Sequence, residues 1–221
     1  MTRFVSFPQK AGTISPFRVG ERLVDSEART LVMGILNTTP DSFSDGGMHH
    51  DLKAACAHAV ALRQAGADII DVGGESTRPG AVPVSVNDEI ARVIPVVEAI
   101  AADGLVSVDT MKSEVAFAAL DAGAHIVNDV SALRFDPNMA VGLADRGVPV
   151  VLMHMQGMPR TMQHDPQYVD VIDDLLGFFH ERIEFAMKAG IQETQIIVDP
   201  GFGFGKTVEH NYRILRELGR F

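Results

Sequence analysis

Six short and almost wholly apolar runs recur along the chain: LVMGIL (31–36), DIID (68–71), LVSVD (105–109), HIVND (125–129), PVVLMH (149–154) and QIIVD (195–199). Runs without polar alternation mark parallel strands that are covered on both faces. Parallel neighbours need a crossover between them, and helical patterns stand where those crossovers belong. Ser85 and Asp88 form a Ser-x-x-Asp cap ahead of Ile90, Val93, Ile94, Val97 and Ile100. A second stripe runs Ile172, Leu175, Leu176, Phe179, Ile183, Ala186 and Met187. The junctions QAGADIIDVGG (64–74), DAGAHIVNDVS (121–131), DRGVPVVLMH (145–154) and KAGIQETQIIVDPG (188–201) each place a glycine where a helix ends and a strand begins. Strand and helix alternating six times means α/β. FRVG and ERLVD, before Leu31, suggest a short hairpin, so residues 1–30 are read as an extension and 31–221 as the main domain.

Two architectures compete, a doubly wound open sheet and a TIM (β/α)8 barrel. The polar residues favour the barrel. Nearly every run ends in one: Asn37, Asp71, Asp109, Asn128 with Asp129, His154 and Asp199. Six successive strand ends converge on one mouth in a barrel, whereas an open sheet gathers its site at a switch point. The count is six units and a closed barrel takes eight, so either the sheet is open or two units are missing.

The balance of 19 Lys plus Arg against 29 Asp plus Glu gives a net charge of −10, which disfavours nonspecific nucleic-acid binding. No apolar run has the length of a membrane span, and the first ten residues contain no signal-peptide core, so a soluble cytoplasmic protein is expected. Cys56 is alone and sits in AACAHAV, which reads as a buried small apolar position.

The loops are where chemistry is expected. NTTPDSFSDGG (37–47) is longer than a βα connection needs. GGESTRPGA (73–81) offers the Thr77 hydroxyl and the planar donor fork of Arg78, suited to phosphate. Asp109, Asn128 and Asp199 stand at equivalent strand ends, and together they match a flat heterocycle with amino, ring N–H and carbonyl edges. DPGFGFGKT (199–207) has Pro200 where a Walker A motif requires glycine, so the phosphate-loop reading fails. A glycine-rich wall bearing Phe202 and Phe204 beside a flat ligand fits better, with Lys206 nearby for an anion. His49, His50, His154 and His164 have no metal-ligand spacing and read as surface or satisfied-core residues.

GILNTTPDSFSDGG, IDVGGESTRPGA, SVDT, HIVNDVS, LMHMQGMPRTMQ and VDPGFGFGK, in this order over residues 31–218, together resemble the bacterial dihydropteroate synthase family. The resemblance implies a TIM barrel that joins 6-hydroxymethyl-7,8-dihydropterin pyrophosphate to p-aminobenzoate, giving 7,8-dihydropteroate and pyrophosphate. It implies that Asp109, Asn128 and Asp199 hold the pterin edge, with Met153 and Gly203 lining the pocket. Asn37 would bind the Mg²⁺ that accompanies the pyrophosphate, and Thr77 and Arg78 would contact the pyrophosphate itself. Phe43, Pro79 and Phe204 would shape the p-aminobenzoate site, where sulfonamides compete. Asn37, Thr77, Arg78 and Asp109 are thereby the expected catalytic set, and the full-length protein is expected to be a homodimer.

Family members continue with a Ser-Arg-Lys loop and an Arg-x-His motif, and these 221 residues contain neither. The expectation is a C-terminally truncated chain, inactive alone. A noncatalytic pterin-binding remnant and a pterin-dependent methyltransferase are the alternative readings.

Overall fold

In a computed structural model of the chain the described residues are 17–19, 22–24, 29–38, 48–76, 82–157 and 161–221. The expected hairpin is present: β1 (Phe17–Val19) pairs antiparallel with β2 (Arg22–Val24), Phe17 opposite Val24. All six apolar runs become strands: β3 (Met33–Asn37), β4 (Ile69–Gly73), β5 (Leu105–Asp109), β6 (Ile126–Asp129), β7 (Val150–Met153) and β8 (Ile196–Asp199). They form one parallel sheet whose spatial order is their sequence order. A doubly wound sheet reverses its strand order at a switch point, and this sheet has no reversal. It is therefore the wall of a TIM barrel, with β3 and β8 as its edges among the described residues.

The helices between the strands are α1 (Met48–Gln64), α2 (Val86–Ile100), α3 (Ser113–Asp121), α4 (Pro137–Arg146), α5 (Val171–Lys188) and α6 (Val208–Arg216). Their boundaries follow local chemistry. Ser85 Oγ accepts from the Asp88 N–H at 3.1 Å, Asp136 caps α4 with Pro137 at its first position, and Asp170 Oδ1 accepts from the Ile172 and Asp173 N–H groups. Gly66, Gly123, Gly147 and Gly190 all have positive φ and release the chain from a helix toward the next strand.

Alternation sorts each strand's residues into two sets. Leu36, Ile70, Val72, Val106, Val108, Val127, Val150 and Leu152 face the helices and make the main core with Val93, Val97 and Ile100 of α2 and Met139 and Leu143 of α4. Ile69, Leu105, Ile126 and Val151 point the other way and close the barrel floor, with Met33 and Ile197 against them. Below the floor Asp68 binds Arg29 and accepts from the Val32 N–H at 2.9 Å, and those hydrogen bonds pull its carboxyl down to about 2. Ile35 faces the interior of the edge strand β3 and is 64% exposed.

The stripe read for α2 is rotated in the fold. Its buried face is Glu89, Val93, Val96, Val97 and Ile100, while Ile90 and Ile94 are half-buried. On α5, Ile172, Leu175, Phe179 and Ala186 are buried as expected, Met187 is exposed, and Arg182 is buried in its place. Cys56 packs on the core but is half-buried rather than enclosed.

Candidate functional site

The register sets Asn37, Gly73, Asp109 and Asn128 side by side on four consecutive strands, and Met153 beside Asp199 on the next two. All belong to the inward-facing set, so of the strand-end residues chosen from sequence Asn37, Asp109, Asn128 and Asp199 share one mouth, while Asp71 lies deeper and Asp129 and His154 face away. Gly73 leaves space between its neighbours: a Cβ there would sit 3.4 Å from Asp109 Oδ2 and 3.7 Å from Asn37 Oδ1. Asp129 belongs to the other set. Its carboxylate accepts from the Ser131 and Leu133 N–H groups at 2.8 and 2.9 Å, which is the local cap that a strand-end aspartate often provides.

One layer deeper lie Asp71 and Ser107, paired across β4 and β5. Asn128 Nδ2 donates to Asp71 Oδ2 at 2.9 Å. Asp71 Oδ1, Ser107 Oγ and Asn128 Oδ1 are sealed from solvent; the Ser107 hydroxyl acts on the Asp71 carboxylate, and Asn128 Oδ1 is left without a partner. A buried polar atom left without a partner costs about 1–3 kcal/mol, which a ligand with matching donors recovers on binding.

The pocket is rich in negative charge. Burial pushes the Asp109 carboxyl well above the usual carboxylate range, and the charges of Asp71, Glu89, Asp129 and Glu75 push it further. Asp71 is raised chiefly by burial and also by Asp199, against hydrogen bonds from Ser107 and Asn128. Such a site selects a ligand edge of N–H donors. Beside it Val130, Met153, Met155 and Met162 form a buried cluster with Met111 and Phe204 against it, a polarisable wall suited to a flat ring.

The 199–207 loop is built on unusual backbone. Gly201 has φ +67°, and a Cβ there would overlap the His154 carbonyl oxygen. Asp199 Oδ1 accepts from the Gly201 N–H at 2.7 Å, and Tyr168 Oη donates to the Gly205 carbonyl at 2.7 Å. Gly203 is exposed, with nothing within 4 Å of where its Cβ would stand.

Lys206 corrects one expectation. It is 4% exposed and donates to the carbonyls of His154 and Phe204 at 3.2 and 2.9 Å and to His154 Nδ1 at 3.0 Å, so it holds the loop and is not free for an anion. Burial pulls its ammonium down to about 7 against the charge of Asp199. Burial, with Lys206 and Arg134 nearby, pulls His154 down to about 3, so the imidazole is neutral and Nδ1 accepts. His154 is a satisfied core residue, as read from its lack of ligand spacing. Of the two loop phenylalanines, Phe204 packs on the methionine wall and Phe202 is 43% exposed.

Sequence reading missed Glu89 and Lys112. Glu89 is 1% exposed; Thr110 Oγ1 donates to its Oε1 at 2.7 Å, and Lys112 Nζ bridges its other oxygen to Glu75. Arg92 adds a hydrogen bond to the Gly74 carbonyl at 3.0 Å. These contacts tie the start of the 73–81 loop and the end of β5 to α2. Burial lowers the Lys112 ammonium, but hydrogen bonds to Glu75 and Glu89 outweigh it and the net shift is upward. The signal was the position of Glu89, four before Val93 and so on the buried helix face.

Thr77, Arg78 and Pro79, with Phe43, fall outside the described residues. Among those described, no group of three His, Cys, Asp or Glu side chains is arranged to hold a metal, and no helix is long and apolar enough to cross a membrane. The described oxygen donors at the mouth are the Asn37 and Asn128 amides and the Asp109 and Asp199 carboxyls. That set fits an Mg²⁺ ion shared with a ligand's phosphates better than one caged by protein.

Residues 33–221 match the family described as pterin binding enzyme. Dihydropteroate synthase of Escherichia coli K12 is 54% identical over 192 residues, 86% of this chain and 68% of that protein. The Yersinia pestis dihydropteroate synthase, solved with a sulfonamide drug, superposes with a TM-score of 0.84 at 49% identity, covering 91% of this chain and 73% of that one. The Xanthomonas albilineans enzyme, solved in complex with 7,8-dihydropteroate, does so with a TM-score of 0.80 at 45% identity, covering 92% and 72%.

Proposed function

We propose a division of labour for this site from one premise: the chain belongs to the pterin-binding enzyme family, among its dihydropteroate synthases, transferases of folate biosynthesis. The reaction joins 6-hydroxymethyl-7,8-dihydropterin pyrophosphate to p-aminobenzoate and releases pyrophosphate. Asp109, Asn128 and Asp199 hold the pterin edge, and Met153 and Gly203 line its pocket. The observation that carries this assignment is the inward acid and amide set with the unpartnered buried oxygen of Asn128. Asn37, Thr77 and Arg78 take the pyrophosphate, and Phe43, Pro79 and Phe204 shape the p-aminobenzoate site.

Asn37 is the residue that would hold Mg²⁺ arriving with the diphosphate, and the ion would neutralise charge on the leaving group. The remaining chemistry asks for placement. The bond between the exocyclic carbon and the diphosphate oxygen breaks with both electrons leaving on oxygen, the pterin ring spreads the positive charge, the amine lone pair closes on that carbon, and the ammonium so formed gives up one proton to solvent or to the released diphosphate. The acid-rich pocket favours this ring cation, and the methionine wall keeps water from it.

Asp109→Asn separates binding from stability. The variant is expected to bind the pterin pyrophosphate roughly 10–100-fold more weakly by calorimetric titration, the worth of a charged hydrogen bond. Its folded state should gain about 1–2 kcal/mol, because a buried and repelled carboxylate is gone. A carboxyl raised above its ordinary 3.8 contributes stability that is full below that value and lost as pH rises through the raised one. The gain in the variant should therefore grow from acid toward neutral pH; equal stability and affinity at every pH would refute the assignment.

We also assign the protein a homodimeric state in the cytoplasm, with small-molecule substrates and neither nucleic acid nor membrane as partners. Light scattering on the purified protein tests the assembly.

A further inference from the structure

We propose that Asp71 is a positioning residue that fixes the orientation of the Asn128 side-chain amide, so that its carbonyl oxygen and not its NH₂ faces the ligand. The inference rests on the pterin-binding reading of Asn128 and extends it to a residue that reading does not use. Asp71 lies mid-strand in β4, is 5% exposed, and takes no place at the mouth. Its Oδ2 accepts the Asn128 Nδ2 at 2.9 Å across the sheet, although β5 lies between their strands.

An amide has two nearly isosteric faces of opposite polarity, and packing alone does not choose between them. A carboxylate chooses, because it accepts and cannot donate. With Nδ2 spent on Asp71, Asn128 Oδ1 is left buried and without a donor. That atom is an acceptor held ready for a ligand N–H, next to the Asp109 carboxylate that neighbours Asn128 in the ladder. Ser107, beside Asp71 on β5, supports the carboxylate through its hydroxyl, which opposes the effect of burial.

The test is an exchange of the pair. In Asp71→Asn the two amides have no enforced polarity, and Asn128 is free to turn its NH₂ to the ligand. In Asn128→Asp two carboxylates face each other. In the double variant Asp71→Asn with Asn128→Asp, the amide at position 71 donates to the carboxylate at position 128, which again offers an acceptor to the ligand. Titration with 6-hydroxymethyl-7,8-dihydropterin pyrophosphate and Mg²⁺ is expected to show each single variant at least tenfold weaker and the double variant within about threefold of the wild type. A merely structural Asp71 would lower the melting temperature without this pattern of rescue. Wild-type affinity in Asp71→Asn, or a double variant no better than the weaker single, overturns the proposal.

Exchange protection of the Asn128 side-chain N–H protons gives a reading that needs no ligand. Protection in the wild type that disappears in Asp71→Asn supports the orientation, and its absence in the wild type overturns it. Protected protons in a wild type that fails to bind the pterin refute the pterin reading and leave the orientation standing.

Discussion

Replacing Lys112 with methionine is expected to destabilise the fold by about 3–5 kcal/mol, the usual result of removing one partner from a buried ion pair. For a domain of this size that is roughly a 10 °C fall in melting temperature. Lys112 is the charge that compensates Glu89, which is 1% exposed on the core face of α2. Without it Glu89 retains only the Thr110 hydroxyl, and a carboxylate buried without a countercharge is costly. Adding Glu89→Gln should recover most of the loss, because both charges are then absent. Chemical denaturation of the single and double variants checks this. A Lys112→Met protein as stable as wild type would show that the bridge to Glu75 and Glu89 does not tie α2 to the loop.

The division between what the sequence showed and what it hid follows from range. Strands were legible because their apolar runs are local, and the glycine at each helix exit has a local reason, a positive φ at the turn. The inward placement of Asp109, Asn128 and Asp199 was legible because a period of two fixes facing once a strand is recognised. The partners of Glu89 and Arg182 were not legible: each residue interrupts an apolar helix face, and its reason lies elsewhere in the chain. Arg182 is buried because it donates to the carbonyls of Ala132 and Leu133, two residues held at positive φ after β6. Lys206 was misread for the same reason. A lysine after a glycine-rich loop suggests an anion site, and only the fold shows its three donors already taken. Asp71 was visible as a polar residue in an apolar run, but its hydrogen bond to Asn128 spans 57 positions and has no counterpart in local pattern.

Gly201→Ala is expected to be as damaging to the site as Lys112→Met is to the core, by a different route. An alanine at φ +67° costs about 1–2 kcal/mol in backbone strain alone. The larger effect is steric, since the new methyl would occupy the space of the His154 carbonyl oxygen and come within 3.1 Å of Met153 Cγ. That carbonyl cannot retreat freely. Lys206 donates to it at 3.2 Å, and the His154 N–H continues the ladder to the Asp199 carbonyl at 2.9 Å. The ends of β7 and β8 must part, taking Asp199 and Met153 with them. A displacement near 1 Å at a positioned group is worth about 100-fold, so pterin affinity should fall by that order even where the protein stays folded. Gly203→Ala is the matched comparison. Gly203 also has positive φ, at +81°, but its Cβ would meet no protein atom within 4 Å, so the stability of that variant should fall only by the backbone cost of about 1–2 kcal/mol. Equal losses of stability in the two variants would show that strain alone governs the loop. A clear excess in Gly201→Ala would assign to this glycine the close approach that seats Asp199 beside Met153.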